Sequence, residues 1–273
     1  FTVEVDGRAR PLAVPGQGWS VWRLREPLPD GPHELRLVKR TEGSMAETVF
    51  HGLRLAESGE LLEPPPPRLL KFVFYGDSIT AGACNGDVAE DQYDDLYPHD
   101  GTRAYGALTA ARFGADYTGI AVSGIGITAS WHDLLMSDVW DRFAPRQDAS
   151  IAPPEAADVV FLNIGQNDHG FPASQGRPIA ADFGTRYLAF VRQLRARHPA
   201  ARLVLLMGGM PAPQVQPAIP RAVRQAVQAL RAEGDAHVWA YRFEAFAWAH
   251  PRIDVHAQMA DELTRFLTDE VLP

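Results

Sequence analysis

KFVFYGDSIT, Lys71 to Thr80, is an apolar run that stops abruptly at Gly-Asp-Ser. Phe72, Val73, Phe74 and Tyr75 are β-branched or aromatic with no polar alternation, the pattern of a strand buried on both faces. Gly76 then permits a sharp turn and leaves Ser78 at its tip. A helix starting there would surround the hydroxyl with its first backbone N–H groups and the positive end of its dipole, a setting for a nucleophile that creates an oxyanion. Asp77 or Ser78 also reads as an ordinary helix N-cap, and the stretch alone leaves both readings open.

Downstream, short apolar strands alternate with helical stripes. Strands are expected at 72–75, 117–122, 159–164, 203–207 and 238–243. Between them lie Phe183, Tyr187, Phe190, Val191 and Leu194; then Val223, Ala226, Val227 and Leu230; and finally Met259, Leu263, Phe266 and Leu267. This is the pattern of a three-layer α/β/α sandwich on a parallel sheet. Upstream, Val3 and Val5, Trp22 and Leu24, Leu35 and Leu37, and Leu53 and Leu55 alternate with polar residues between Gly and Pro turns, predicting a small antiparallel β domain over 1–63. Pro64 to Pro67 cannot continue a ladder, so 64–70 reads as a stiff linker and 71–273 as the larger domain.

In a parallel sheet the ligand site gathers outside the carboxyl ends of the strands. The first strand is followed by Ser78 and the second by Ser123-Gly124-Ile125-Gly126, where glycine lets the backbone offer an N–H at close range. The third is followed by Gly165-Gln166-Asn167-Asp168, a carboxamide donor at the same rim. His250 precedes Pro251, a residue suited to the first position of the last helix. Taken singly, these are a cap, a turn glycine, a turn Asn and a loop His. Together they are a nucleophile, two anion donors and a base.

GDSIT at 76–80, SGIG at 123–126, GQND at 165–168 and HP at 250–251 resemble the four sequence blocks of the SGNH, or GDSL, hydrolases. The resemblance covers roughly residues 70 to 273. It implies a flavodoxin-like sandwich with Ser78 as nucleophile and His250 as base. The implied oxyanion hole is the N–H of Ser78, the N–H of Gly124 and the amide of Asn167. A β domain ending in DGPHELRLVKRTE (30–42), a Pro-rich joint and GDSITAG are similar, more narrowly, to family two of the carbohydrate esterases. That likeness implies a jelly-roll-like N-terminal domain and removal of O-acetyl groups from xylan- or mannan-type polysaccharide or oligosaccharide. It also implies a secreted or periplasmic setting.

The chain departs from the superfamily pattern at one position. SGNH enzymes carry an Asp three residues before the catalytic His, and here that residue is Ala247. Three substitutes remain open: a main-chain carbonyl of Trp248 or Ala249, as in some family-two esterases; Asp254; and Glu244. The carbonyl is favoured, because Asp254 falls on a first helical turn where it serves the dipole. His256 would lie well inside the last helix and is read as structural.

The acidic loop from Asp87 to Asp100 lacks the oxygen spacing of a calcium loop and reads as a solvated insertion, and the nine His show no metal-ligand spacing. No metal and no cofactor is expected. Lys and Arg number 26 against 34 Asp and Glu, a net charge of -8 that gives no basis for binding nucleic acid or anionic membranes. No apolar run approaches the roughly 18 residues of a membrane span, and a signal peptide is not expected within this chain. The lone Cys84 forms no internal disulfide and reads as a small packed side chain. Trp131, Phe171 and Trp248 lie close to the blocks and are candidates for stacking on a sugar ring. The readings set against a polysaccharide deacetylase are a general short-chain esterase, lysophospholipase or thioesterase of the same superfamily, and a carbohydrate-binding protein with a decayed site.

Overall fold

Alternate side chains of the Lys71–Gly76 strand enter two different cores. Val73 and Tyr75 join one with Val160, Leu162, Leu203 and Leu205, and Phe72 and Phe74 join the other with Val159, Phe161, Val204 and Leu206. A strand apolar at every position is therefore one covered on both faces.

The computed structural model describes residues 1–272 apart from 15, 17, 25, 26, 46, 47 and 148–155. Its strands are β1 (Thr2–Val5), β2 (Arg8–Pro11), β3 (Leu35–Val38), β4 (Lys71–Gly76), β5 (Asp116–Ala121), β6 (Val159–Asn163), β7 (Arg202–Gly209) and β8 (Val238–Phe246). Its helices are α1 (Ser78–Ala81), α2 (Tyr105–Arg112), α3 (Met136–Val139), α4 (Gln166–Ser174), α5 (Phe183–Arg197), α6 (Ala212–Val215), α7 (Ala218–Ala232) and α8 (Ile253–Phe266).

β4 to β8 form one parallel sheet in the order β5-β4-β6-β7-β8, with Phe74 paired to Gly119 on one side and Phe161 on the other. This is the doubly wound flavodoxin order, with its switch point at β4. Tyr187, Phe190 and Leu194 of α5, with Val223 and Leu230 of α7, cover one face. Tyr105 of α2 and Met259 and Leu263 of α8 cover the other. Each fully buried Phe, Leu or Val in these layers stabilises the fold by about 1.5–3 kcal/mol. The three-layer sandwich expected from the strand and helix pattern is the one observed.

The chain divides into two compact units, Phe1–Arg40 with Thr48–Pro66, and Thr41–Glu47 with Pro67–Pro273. The smaller unit holds an antiparallel sheet in the order β2-β1-β3. Two of the expected strands are not there: residues 22–24 and 53–55 lie in no strand, and Trp22, Leu24, Leu53 and Leu55 are exposed. Alternation alone does not fix a strand: β3 is held by its pairing along β1, whereas residues 22–24 and 53–55 join no ladder.

Candidate active site

Ser78 is the first residue of α1, directly after the β4 turn. A Cβ on Gly76 would run into the Thr80 side chain and the Asn163 carbonyl, so the turn requires glycine. Asp77 caps α1, its Oδ1 accepting from the Ile79 N–H at 3.1 Å. His250 Nε2 lies 2.8 Å from Ser78 Oγ, although the residues are 172 positions apart. Both side chains are buried.

The group on the far side of the imidazole is none of those expected. Asp91 Oδ2 lies 2.6 Å from His250 Nδ1. Glu244 is exposed on β8 and Asp254 is exposed on the first turn of α8. No bond from the ring to a carbonyl of Trp248 or Ala249 occurs among the described residues. The physical reason lies at position 247, where the backbone still follows β7, with the Ala247 N–H donating to Gly209 O at 3.0 Å. The acidic loop fills the vacancy and so is not a purely solvated insertion.

Arg252 holds that carboxylate from the other side, Nη1 donating to Asp91 Oδ1 at 2.7 Å. Burial pushes Asp91 upward, but the hydrogen bonds from His250 and Arg252 prevail and hold its carboxyl below the usual range. For His250, burial depresses the pKa and Asp91 opposes it, with the net direction downward. Tyr93 Oη stands 2.9 and 3.0 Å from the two ring nitrogens, and its ring meets the imidazole edge-on at 87°. An oxygen equidistant from both nitrogens lies over the ring face. Burial raises the Tyr93 phenol, which stays neutral.

Gly124 takes φ +80, a conformation that favours glycine, and its N–H donates to no protein acceptor among the described residues. Asn167, in the first turn of α4, gives one amide hydrogen to Ile125 O at 2.8 Å and lies 3.5 Å from Asp77 Oδ2. Two carboxylates hold these loops. Glu42 Oε2 accepts from the Ser123 N–H at 2.8 Å and from Ser123 Oγ at 2.6 Å. Asp168 accepts from the N–H groups of Ile127, Thr128 and Ala129. His256 is fully buried in α8, its Nδ1 accepting from the Tyr105 N–H at 3.2 Å, and burial lowers its pKa to about 3.

The profile of the GDSL-like Lipase/Acylhydrolase family matches residues 74–263, and that of the Carbohydrate esterase 2 N-terminal domain matches residues 1–65. The chain belongs to the GDSL-like lipase/acylhydrolase family. It is 29% identical over 279 residues to the cellulase/esterase CelE of Acetivibrio thermocellus, covering 97% of this chain and 33% of that protein. It is 27% identical over 245 residues to an acetylxylan esterase / glucomannan deacetylase of Cellvibrio japonicus, covering 86% of this chain and 66% of that one. The chain therefore spans about a third of the one and just under two thirds of the other. The structure of a family two carbohydrate esterase from Clostridium thermocellum in complex with cellohexaose superposes with a TM-score of 0.87 at 27% identity. That superposition covers 98% of this chain and 85% of the other.

Around the GDSL-family site the aromatic candidates stand outside the core. Trp131 is 56% exposed, its ring meets Phe171 edge-on at 5.3 Å, and its backbone N–H donates to Gly124 O at 2.9 Å. Trp248 is 75% exposed beside Phe246. Trp140 by contrast packs on Tyr75 and Phe190 in the core. Cys84 is buried, and its Sγ, an Asp91 oxygen and a His250 nitrogen lie within 4.8 Å of one another. A cation there would compete with the Asp91–His250 hydrogen bond. No helix among the described residues is long and apolar enough to cross a membrane.

Proposed function

We propose that this chain is a serine carboxylic-ester hydrolase that removes O-acetyl groups from xylan- or mannan-type polysaccharide or its oligosaccharides. The observation that carries the reading is the unbroken chain Ser78 Oγ, His250, Asp91, with contacts of 2.8 and 2.6 Å. Ser78 attacks the acetyl carbonyl while His250 Nε2 takes its proton, and Asp91 holds the tautomer and stabilises the imidazolium. The N–H groups of Ser78 and Gly124 and the Asn167 amide receive the developing oxyanion. The intermediate collapses as His250 returns the proton to the departing sugar oxygen, leaving acetyl on Ser78. Water activated by the same imidazole attacks that ester and releases acetate.

The acetyl and carbohydrate parts of the proposal draw on the esterase relatives and on the exposed rings of Trp131 and Trp248 and the half-buried ring of Phe171, which suit stacking on pyranose faces. A polymer of that size is met outside the cytoplasm, so a secreted or periplasmic setting goes with the substrate. Turnover of activated esters of increasing acyl length tests the reading. Activity should peak at acetyl, extend to acetylated xylo- or manno-oligosaccharide, and vanish in Ser78→Ala. A maximum at long acyl chains would favour a lysophospholipase or thioesterase, and equal rates in Ser78→Ala would remove the serine mechanism.

A further inference from the structure

The third group of the site comes from a loop rather than from the strand end that carries His250, and a loop carboxylate is only as well placed as the loop is pinned. The base of the loop is braced. Gly86 N–H donates to Pro98 O at 2.8 Å, and Asn85 and Asp100 exchange hydrogen bonds of 2.8 and 3.1 Å. Beyond that brace, one side chain reaches into the loop from the start of α8. Arg252 Nη2 donates to Ala89 O at 2.7 Å, and Nη1 is shared among Cys84 O at 3.0 Å, Asp91 Oδ1 at 2.7 Å and His250 O at 3.0 Å. The guanidinium therefore ties both ends of the Cys84–Asp91 segment to the backbone of His250 itself. A fork of fixed geometry suits that work better than a flexible ammonium.

We propose that Arg252 is the positioning residue of the triad, fixing the loop so that Asp91 meets His250 Nδ1. The inference rests on the reading of Asp91 as the third catalytic group. Charge alone argues against a direct electrostatic role, since the Arg252 cation disfavours the imidazolium that forms in the reaction, whereas Asp91 favours it. Its benefit must come through geometry. Arg252 touches neither Ser78 nor the proposed oxyanion donors and meets His250 at its carbonyl, not its ring, so its loss should be felt chiefly through Asp91.

The test is a double-mutant cycle on turnover of an activated acetate ester, with melting temperature as a check on folding. Arg252→Ala should lower kcat by about 10²-fold with little change in KM, the effect of a misplaced catalytic group. In an Asp91→Asn background the same substitution should change kcat by less than about twofold, because the two act as a unit. Arg252→Lys, which keeps the charge and the fold but cannot bridge the same points, should fall between Ala and the parent. Guanidinium ion in the buffer should restore part of the Arg252→Ala rate and none of the Asp91→Asn rate. Full multiplication of the two losses, or an Arg252→Ala kcat equal to the parent's, overturns the proposal while leaving the triad intact. An Asp91→Asn enzyme as fast as the parent instead removes the third-group reading, and this proposal with it.

Discussion

His250 works under opposing influences, and their balance can be read from a rate profile. Burial depresses its pKa, the hydrogen bond and charge of Asp91 raise it, and the net direction is below the ordinary 6.5. In the proposed mechanism the base must be neutral to take the Ser78 proton, so activity should rise as pH rises through this pKa. We expect kcat/KM for an activated acetate ester to reach half its plateau below pH 6.5, and to do so at still lower pH in Asp91→Asn. A half-rise above that value would contradict the burial seen here. Ser78, Gly124, Asn167 and His250 could be picked out of the sequence because each stands at a strand or helix boundary marked by glycine or proline. Asp91 could not. It is one of six carboxylates between Asp87 and Asp100, with no period to distinguish it, and Ala247 removes the usual marker. Tyr93 and Arg252 escaped for a related reason: their meaning depends on where the loop folds, and Arg252 beside a helix start reads as an ordinary surface charge.

At the scale of elements, the β4 turn and α1 place a fully buried carboxyl next to Ser78, the proposed nucleophile. Burial, with the charges of Asp168 and Glu42 adding to it, pushes Asp77 up to about 7 from 3.8. A group so raised leaves stability intact below the unfolded value. The unfolded chain ionises first as pH rises, so stability is lost between pH 3.8 and about 7. Asp77→Asn can keep the cap to the Ile79 N–H and carries no charge. Unfolding free energy measured at about pH 4 and about pH 8 should fall less in the variant, by on the order of a few kcal/mol. Parallel curves for the two proteins would show that Asp77 is not the group responsible. The core strands were legible to within a few residues because they are buried on both faces. In the N-terminal sheet β1 and β3 fall on the alternations at Val3/Val5 and Leu35/Leu37, whereas β2, with no buried residue, was not legible and the alternations at 22–24 and 53–55 form no strand.

Over the whole molecule, residues 42, 78, 91, 124, 167 and 250 come from segments with no local relation, and the doubly wound order brings them to one end of the sheet. Glu42 shows how far this convergence reaches, since the segment 41–47 leaves the smaller unit to join the larger, and its carboxylate holds the loop of Gly124. The central claim is that this fold activates one serine hydroxyl among many. Reaction with a fluorophosphonate, followed by peptide mass spectrometry, tests it most directly. The account predicts that Ser78 alone is labelled, that His250→Ala abolishes the labelling, and that Asp91→Asn slows it by about 10³-fold or more. Labelling spread over other serines, or a Ser78 rate unchanged in His250→Ala, would contradict it.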